Sequence, residues 1–160
     1  MNKELKEWTI NYVKHKDSPF KRLVGYEEKK DIIEFKFKDK ANIHVITERI
    51  DANTLDQIKS YEHKTVVCFN TDDNLKFLLK EWNKFSAIKN LTLIFVNLKN
   101  NDKWTINPHV HAMIADPESL ETGLRTMFDT ANGKIAEIKA PKRKPKLFGD
   151  DVADEEEGEE

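Results

Sequence analysis

The sequence predicts a mixed α/β fold, in which one domain is built on a single sheet and is followed by a charged tail. A strand at 31–38 with alternating apolar and polar residues, and a second strand at 43–50, are typical of a half-buried hairpin. Two further apolar strands, 64–69 and 91–96, flank a helical segment, which predicts a parallel β-α-β unit. Residues 139–160 hold charges and prolines with almost nothing to bury, so we expect them to be disordered.

The predicted domain spans residues 1–138, and its first element is an amphipathic helix at 3–15. The buried side of this helix recurs every three or four residues: Leu5, Trp8, Thr9, Tyr12 and Val13. A first strand is predicted at 20–26, with Gly25 as a bulge or bend. Residues 27–30 are all charged, and we expect them to form a polar turn.

The next two strands are predicted to pair as an antiparallel hairpin. In the first strand, three apolar residues alternate with three charged ones: Ile33, Phe35 and Phe37 with Glu34, Lys36 and Lys38. Residues 39–42 form the turn, and 43–50 returns as the partner strand. Thr54, with Gln57 three residues later, matches a capping box and predicts the start of a short helix.

The second half of the chain begins with a helix and a buried strand. Thr71 is followed by two acids, which suit a helix N-terminus, and predicts a helix over 72–86. The run at 91–96 has no alternation, so we expect a central strand that is covered on both faces. Residues 104–115 are predicted to be extended, with Pro108 marking an edge or a bulge.

The last helix has clear boundary signals. Asp116 followed by Pro117 is a strong helix start, and Asn132 with Gly133 is a typical stop. Four residues are predicted to line this helix: Leu120, Leu124, Met127 and Phe128. Residues 135–138 are a candidate for a last short strand. The predicted order is therefore αβββαβαββα, a mixed sheet with helices on its faces.

Composition excludes several classes of protein. Cys68 is the single cysteine, so neither an internal disulfide nor a cysteine-based zinc cage is available. No glycine-rich phosphate loop occurs among the five glycines. No stretch approaches the roughly 18–20 apolar residues that a membrane helix needs. We therefore expect a cytoplasmic protein without a membrane partner, and we expect no cofactor.

The charge of the chain is divided into unlike parts. The chain holds 27 basic and 29 acidic residues. Eight of the acids lie in its last eleven residues: Asp150, Asp151, Asp154, Glu155, Glu156, Glu157, Glu159 and Glu160. Removing those eight leaves 27 basic against 21 acidic residues, so residues 1–149 carry a formal excess of +6. Charge blocks of this kind are typical of interaction tails.

His109 and His111 form one candidate metal site. On the extended segment predicted here, residues at i and i+2 point to the same side, which is a geometry that can hold zinc or another divalent metal. Asp116 or His44 is available as a third ligand. The alternative is a pair of hydrogen-bonded histidines near an edge strand.

The first 70 residues resemble a known enzyme family. The predicted order of a helix, three strands, a helix and a strand resembles the αβββαβ core of the PD-(D/E)XK nucleases. Asp31 and Glu34 on one predicted strand and Glu48 on the next are the acids available to such a site. The spacing of Gln57 and Tyr61 resembles the Q-x-x-x-Y helix of the RecB-like members of that family.

The resemblance implies a specific chemistry. In that family an acid and a Glu-x-Lys motif bind Mg²⁺ beside the scissile phosphate, and the lysine steadies the attacking water. Here Glu34 and Lys36 have the Glu-x-Lys spacing, with Asp31 nearby, but they lie on the second predicted strand. Glu48 on the third strand is followed by Arg49 and lacks the lysine two residues later. We therefore favour a non-catalytic protein, with a Mg²⁺-dependent nuclease as the alternative.

A lysine-rich face is the candidate nucleic-acid contact. Its members lie on or near the predicted hairpin: Lys29, Lys30, Lys36, Lys38, Lys40 and Arg49. Cations on one face of a sheet are available to contact phosphates, although such a face is often only solvated. We favour a binding or adaptor domain that associates with nucleic acid, with the acidic tail competing for the basic face.

The tail offers a second kind of partner. Leu147 and Phe148 are two apolar residues between a basic and an acidic block. Short apolar segments in charged tails are typical of docking motifs for proteins. A protein–protein interaction module that docks through this pair is the remaining alternative.

Overall fold

The computed structural model describes residues 3–133. The helices are α1 (Lys3–Asp17), α2 (Ala52–Ile58), α3 (Asp72–Lys80), α4 (Trp82–Ser86), α5 (Pro108–Ile114) and α6 (Leu120–Ala131). The strands are β1 (Leu23–Lys29), β2 (Ile32–Phe37), β3 (Ala41–Ile46), β4 (Lys64–Phe69), β5 (Leu91–Asn97) and β6 (Asp102–Ile106). A 3-10 turn at Pro117–Ser119 leads into α6.

The six strands form one mixed sheet in the order β1-β2-β3-β4-β5-β6. β1, β2 and β3 are an antiparallel meander, β3, β4 and β5 run parallel, and β6 returns antiparallel to β5. The predicted α/β class is confirmed, and so is the parallel pairing of β4 with β5. The observed order differs from αβββαβαββα in two places, because the helix predicted at 72–86 is divided at Glu81 and because α5 stands between β6 and α6.

Two hydrophobic clusters hold helices against the two faces of the sheet. On one face α1 contributes Leu5, Ile10 and Val13. These pack on residues from four strands: Ile33, Phe35, Ile46, Val67, Ile94 and Val96. The opposite face is covered by α2, α3, α4 and α6 through a larger cluster that includes Leu55, Leu75, Phe85, Leu124 and Phe128. As predicted, the central strands are therefore buried on both sides.

β1 begins and ends three residues later than the strand predicted at 20–26. Glu27, Glu28 and Lys29 pair with β2, so the polar turn predicted at 27–30 is wrong and the chain reverses at Lys30 and Asp31 instead. An edge strand tolerates such charges because its outer side is wet. The predicted bulge near Gly25 is confirmed, since the pairing register shifts between Leu23 and Gly25.

The N-cap of α2 lies three residues before the predicted cap. Asp51 is the N-cap: its Oδ1 accepts from the Thr54 backbone N–H at 3.1 Å, and the Thr54 hydroxyl accepts from the Asp51 N–H at 3.3 Å. Thr54 is therefore the third helical residue, and the capping box predicted from Thr54 and Gln57 is wrong. Asp51 and Thr54 have the same three-residue spacing as Thr54 and Gln57, and aspartate is a stronger N-cap than threonine.

The prediction that 104–115 is extended is also wrong beyond Ile106, where α5 follows β6. The Asn107 side chain accepts from the Val110 N–H at 3.1 Å, and Pro108 takes the first helical position of α5. His109 and His111 therefore lie on a helix, where residues two apart are separated by about 200° around the axis. They do not share a side, and the strand geometry on which the predicted metal pair depends is absent.

The other helix boundaries agree with the sequence signals. Thr71 caps α3, and its side chain accepts from the Asn74 N–H. The Asp116 side chain accepts from the Glu118 N–H at 3.2 Å at the start of the turn before α6. Asn132 is the C-cap of α6, and Gly133 has a φ of 80°. Of the four residues predicted to line this helix, Met127 is exposed.

Some predictions fall on residues beyond this description. The strand at 135–138, the end of the domain at 138 and the charged tail at 139–160 lie outside the described residues, and so do Leu147 and Phe148. Across residues 3–133, no helix is long and apolar enough to cross a bilayer.

Replacing Asn74 with alanine is expected to lower the free energy of unfolding by about 2–4 kcal/mol. The Asn74 side chain is fully buried, accepts from the Ile50 N–H at 3.0 Å, and donates to the carbonyls of Glu48 at 2.9 Å and Phe69 at 2.8 Å. Alanine leaves these three backbone groups without a partner. Urea denaturation measures the change. Asn83→Ala, on the exposed side of α4, is the control, and an equal loss in both variants would contradict this role.

Candidate functional site

A cavity of about 340 Å³ lies where the C-terminal end of α1 meets the sheet. α1 contributes Tyr12, Val13 and Lys16 to its wall, and the loop after α1 contributes Phe20. The sheet side of this α1 cavity comes from the first residues of the parallel strands and from the neighbouring end of β6. The volume lies within the range of pockets that hold small molecules, roughly 300–1,000 Å³.

Three threonines form the sheet side of the α1 cavity, and we call them the threonine row: Thr65, Thr92 and Thr105. Thr65 and Thr92 are direct partners across β4 and β5, and Thr105 lies opposite Ile94 on β6. The Thr65 hydroxyl donates to Asn42 Oδ1 at 3.3 Å. Within residues 3–133, the hydroxyls of Thr92 and Thr105 make no hydrogen bond. The row therefore offers two free polar groups to a ligand.

His44 is the buried polar group of the α1 cavity. It lies on β3 beside Thr65, only 6 % of its surface is exposed, and its ring contacts Phe35 edge-on at 4.7 Å. Its Nδ1 is buried and has no hydrogen-bond partner in the described part of the chain. An unpaired buried polar atom costs about 1–3 kcal/mol, so such an atom calls for an explanation.

Burial also fixes the charge of His44. Desolvation and, as a smaller effect, the charge of Lys16 lower its pKa from 6.5 to about 4, whereas the Asn42 backbone acts in the opposite direction. The imidazole is therefore neutral at pH 7, with one nitrogen that donates and one that accepts. A neutral ring of this kind can match a ligand edge that carries both donors and acceptors.

Three cations line the α1 cavity, Lys16, Arg22 and Lys40, and two more, Lys21 and Lys38, flank Arg22 and Lys40 in the chain; we call these five residues the cationic mouth. The Lys38 N–H donates to the Arg22 carbonyl at 2.9 Å, which ties the loop after α1 to the end of β2. The acids that line the cavity are Asp17 and Asp39. The three lining cations against these two acids give the lining a formal charge of +1, and Lys21 and Lys38 add two positive charges in the adjoining chain segments.

The loop that carries Lys21 and Arg22 is held by Asp17. The Asp17 carboxylate accepts from the Arg22 N–H at 3.1 Å and from the Leu23 N–H at 2.9 Å. This hydrogen bonding directs the Asp17 carboxylate to the backbone, so it does not pair with the cations. Arg22 lies over the ring of Phe20 at 5.6 Å, and Phe20 is 64 % exposed. The opening thus presents a wet aromatic ring next to a guanidinium group.

The opposite end of the parallel strands is closed. Asn70, just after β4, donates to the Phe128 carbonyl and to Asn132 Oδ1, each at 3.0 Å, and accepts from Trp104 Nε1 at 2.7 Å. Ligands of α/β sheets usually bind beyond the carboxyl ends of the strands. Here that end is filled by asparagines that bond to α6 and β6, so the open cavity lies at the other end of the sheet.

The structure divides the six cations that were predicted to form one basic face. Lys38 and Lys40 belong to the cationic mouth, whereas Arg49 lies beyond the other end of β3 and pairs with Asp73 at 3.0 Å. Lys29 lies between Glu27 at 3.8 Å and Glu34 at 3.7 Å. Lys30 is in the β1–β2 turn, and Lys36 is exposed on β2. Lys16, Lys21 and Arg22 were not predicted.

The acids of the nuclease resemblance occupy two places. Glu34 and Tyr61 line a second cavity of about 610 Å³ on the other face of the sheet. Asp31 lies at the other end of β3, where its carbonyl accepts from the Ile46 N–H at 2.8 Å, and Glu48 follows that end of β3. Gln57 is half-buried on α2. In the part of the chain that the structure describes, no three His, Cys, Asp or Glu side chains form a metal-binding group.

The two histidines of α5 have separate partners. His109 Nδ1 lies 2.9 Å from the Ser86 carbonyl, and the ring of His111 meets Trp82 edge-on at 5.8 Å. Asp116 caps the turn that follows α5. These contacts join α5 to α4, which gives both side chains a structural role.

Sequence reasoning missed most of the α1 cavity. It considered His44 only as a metal ligand, and it treated the threonines as ordinary strand residues. One signal was available: Thr65 and Thr92 are each the second residue of an apolar parallel strand, so strands in register place both hydroxyls side by side on one face. The cations of the loop after α1 carry no such periodic signal.

Comparison with known proteins adds no relative to this description. No protein-family model, curated protein or solved structure matches the chain.

The stability of the protein is expected to fall as the pH drops from 6.5 to 4, because His44 takes up a proton more readily in the unfolded chain. Between those two pKa values the unfolded state binds more protons, so the free energy of unfolding rises with pH. The full contribution of this protonation of His44 to the free energy of unfolding is about 3 kcal/mol. Urea denaturation at pH 4 and pH 7 checks this. On acidification, the free energy of unfolding of His44→Phe should fall by about 3 kcal/mol less than that of the wild type. Equal falls in the two proteins would contradict the assignment of this effect to His44.

Proposed function

We propose that this chain is a non-catalytic domain that binds nucleic acid through the cationic mouth. The observation that carries the proposal is the concentration of positive charge there. Residues 3–133 hold 21 basic and 20 acidic side chains, which is a formal charge of only +1. Three of those cations line one cavity together with two acids, and Lys21 and Lys38 lie in the chain segments next to it. A local cluster on a nearly neutral domain supports binding of an anion at that place.

The kind of nucleic acid follows from the shape of the opening. A concave site with an exposed aromatic ring favours a single strand, because unpaired bases can stack on such a ring. Phe20 is exposed and lies beside Arg22, which adds a cation next to the stacking surface. The phosphates of the strand contact the lysines of the mouth, and a base contacts Phe20.

The C-terminal residues contribute charge of both signs. Residues 134–149 hold six basic side chains and Glu137, a charge of +5, which together with the +1 of residues 3–133 gives the +6 of the chain before the acidic block. The basic residues of this segment add to the attraction for phosphate. The eight acids at 150–160 compete with phosphate for the cationic mouth, and tethering raises their effective concentration there.

The nuclease alternative has one supporting observation. Glu34 and Tyr61 line the same cavity, although Asp31 and Glu48 lie at the other end of β3. Mg²⁺ would be the cofactor of that activity. Cleavage of nucleic acid that needs Mg²⁺ and is abolished by Glu34→Ala would establish it. Docking of a protein through Leu147 and Phe148 stays a prediction, because both residues lie outside the described part.

Neutralising the cationic mouth is expected to weaken binding of a single-stranded oligonucleotide at least tenfold at low salt. The variant replaces the three cations that line the cavity, Lys16, Arg22 and Lys40, with glutamine. Each phosphate contact contributes about 0.7 to the slope of log K against log salt, so losing three contacts lowers the slope by about two. Fluorescence anisotropy over a range of salt concentrations measures both quantities.

The control for this experiment removes the same charge elsewhere. It carries glutamine at three exposed lysines that make no ion pair within residues 3–133: Lys80, Lys89 and Lys99. We expect its affinity to stay close to that of the wild type. An equal loss in the two triple variants would show that net charge alone determines binding, and it would refute the proposed site.

Removing the acidic block is expected to raise the affinity for the same oligonucleotide several-fold at low salt, with the gain disappearing at high salt. One variant ends at Gly149, and a second keeps the full length with Asn or Gln at the eight acidic positions. Both should bind alike, because the proposed competition depends on charge and not on chain length. Unchanged affinity in both variants would refute the competition while leaving the cationic mouth unaffected.

A further inference from the structure

We infer that the α1 cavity is a pocket for one nucleotide unit, with the base against His44 and the threonine row and the phosphate at the cationic mouth. This inference rests on the proposed function, and it adds a recognition site to the electrostatic contact. The ligand class is a planar, hydrogen-bonding ring joined to a phosphate.

The first argument is the arrangement of polar atoms in the α1 cavity. His44 Nδ1 is buried without a partner, and the hydroxyls of Thr92 and Thr105 are free within the described residues. A ligand that only filled the space would leave His44 unpaired. Nδ1 itself has almost no accessible surface, so a ligand edge with both donors and acceptors would bond to the open part of the imidazole and to the hydroxyls together. A base edge has this property, whereas a hydrocarbon chain lacks it.

The second argument is the apolar surface between those polar groups. Val13 of α1 and Ile94 of β5 contribute to the wall, and Phe37 at the end of β2 does so as well. Small-molecule pockets commonly combine an apolar wall with a few polar groups that set orientation. A flat ring can contact these side chains with its faces while its edge bonds to His44. Inorganic phosphate alone would bury no surface against this wall.

The third argument is the position of the charges. Lys16, Arg22 and Lys40 line the α1 cavity along with His44, so one molecule can contact the cations and the imidazole together. Lys16 also lowers the pKa of His44, which shows that the two groups are close enough to interact. A phosphate next to Lys16 would offset that effect. A nucleotide unit therefore matches both the polar interior and the cationic opening.

The test uses full-length protein with ¹⁵N-labelled histidine, and it follows the His44 imidazole signals by NMR. The probes are nucleoside 5′-monophosphates, the corresponding nucleosides, inorganic phosphate and a single-stranded oligonucleotide. We expect a monophosphate to shift the His44 Nδ1 signal, a nucleoside to shift it only at higher concentration, and inorganic phosphate to leave it in place. If inorganic phosphate shifts this signal as much as a monophosphate does, the site is a simple anion site and the inference is overturned.

Two variants separate recognition from folding. His44→Phe keeps an aromatic ring beside Phe35 but removes the hydrogen bonds, and Thr92→Val keeps the shape of the side chain but removes the hydroxyl. We expect each to weaken monophosphate binding about tenfold, while Thr122→Val on the exposed side of α6 leaves it unchanged. The salt slope of oligonucleotide binding should stay constant in all three. Monophosphate affinity that is unchanged in both His44→Phe and Thr92→Val would overturn the inference.

The same probes distinguish this inference from the proposed function. If the oligonucleotide binds but no probe moves the His44 signal, the pocket is refuted and the cationic mouth stands. If a monophosphate moves the signal but no oligonucleotide binds, the pocket stands and the proposed function fails. Linear and circular single strands then identify the source of the nucleotide unit: a shift with the linear strand alone assigns the pocket to a strand terminus.

Discussion

Burial of β4 and β5 on both faces is the constraint on which the rest of the structure depends. A parallel strand in this position needs apolar residues on both sides, and Val66, Val67, Leu93 and Ile94 provide them. Helices must then cover both faces of the sheet, because neither face can be left to water. Among the helices of residues 3–133, α1 alone covers one face, whereas four helices cover the other. The single cover of α1 is the reason why the molecule has a cavity at one end.

On the α1 face of the sheet, side chains change from apolar to polar near the residue at which α1 ends. Leu5, Ile10 and Val13 share one cluster with Ile46, Val67 and Val96 of the later parts of the parallel strands, and Val13 also reaches the wall of the α1 cavity. Nearer the starts of the parallel strands, the same face of the sheet carries the threonine hydroxyls and the His44 imidazole. α1 ends there with Lys16 and Asp17. Polar side chains at this end lower the stability little if water or a ligand can bond to them. Within residues 3–133, Nδ1 of His44 is the buried side-chain atom that has no hydrogen-bond partner.

Periodicity in the sequence predicted the layers of this fold. It did not predict the segments whose structure depends on a helix cap. The alternation of Ile33 and Phe35 with Glu34 and the uniform run of β5 both predicted the observed burial. The segment after β6 was misjudged because proline in a strand and proline at the first position of a helix look alike in sequence, and the Asn107 cap decides between them. The site was harder to predict, since His44, Thr92 and Arg22 lie on two strands and a loop, and only tertiary packing brings them together.

The distribution of charge also explains why the cationic mouth, and not a whole sheet face, is the relevant surface. β3 has six residues, so Arg49 beyond one end and Lys40 before the other are separated by about 20 Å or more. The Debye length at physiological salt is about 8 Å, so charges that far apart do not act together on one phosphate. Arg49 and Lys29 also have carboxylate partners, whereas Lys38 and Lys40 have none within residues 3–133. In the proposed function, binding of a polyanion therefore depends on how a few cations are grouped around one opening, because the formal charge of the described residues is too small to attract a polyanion by itself.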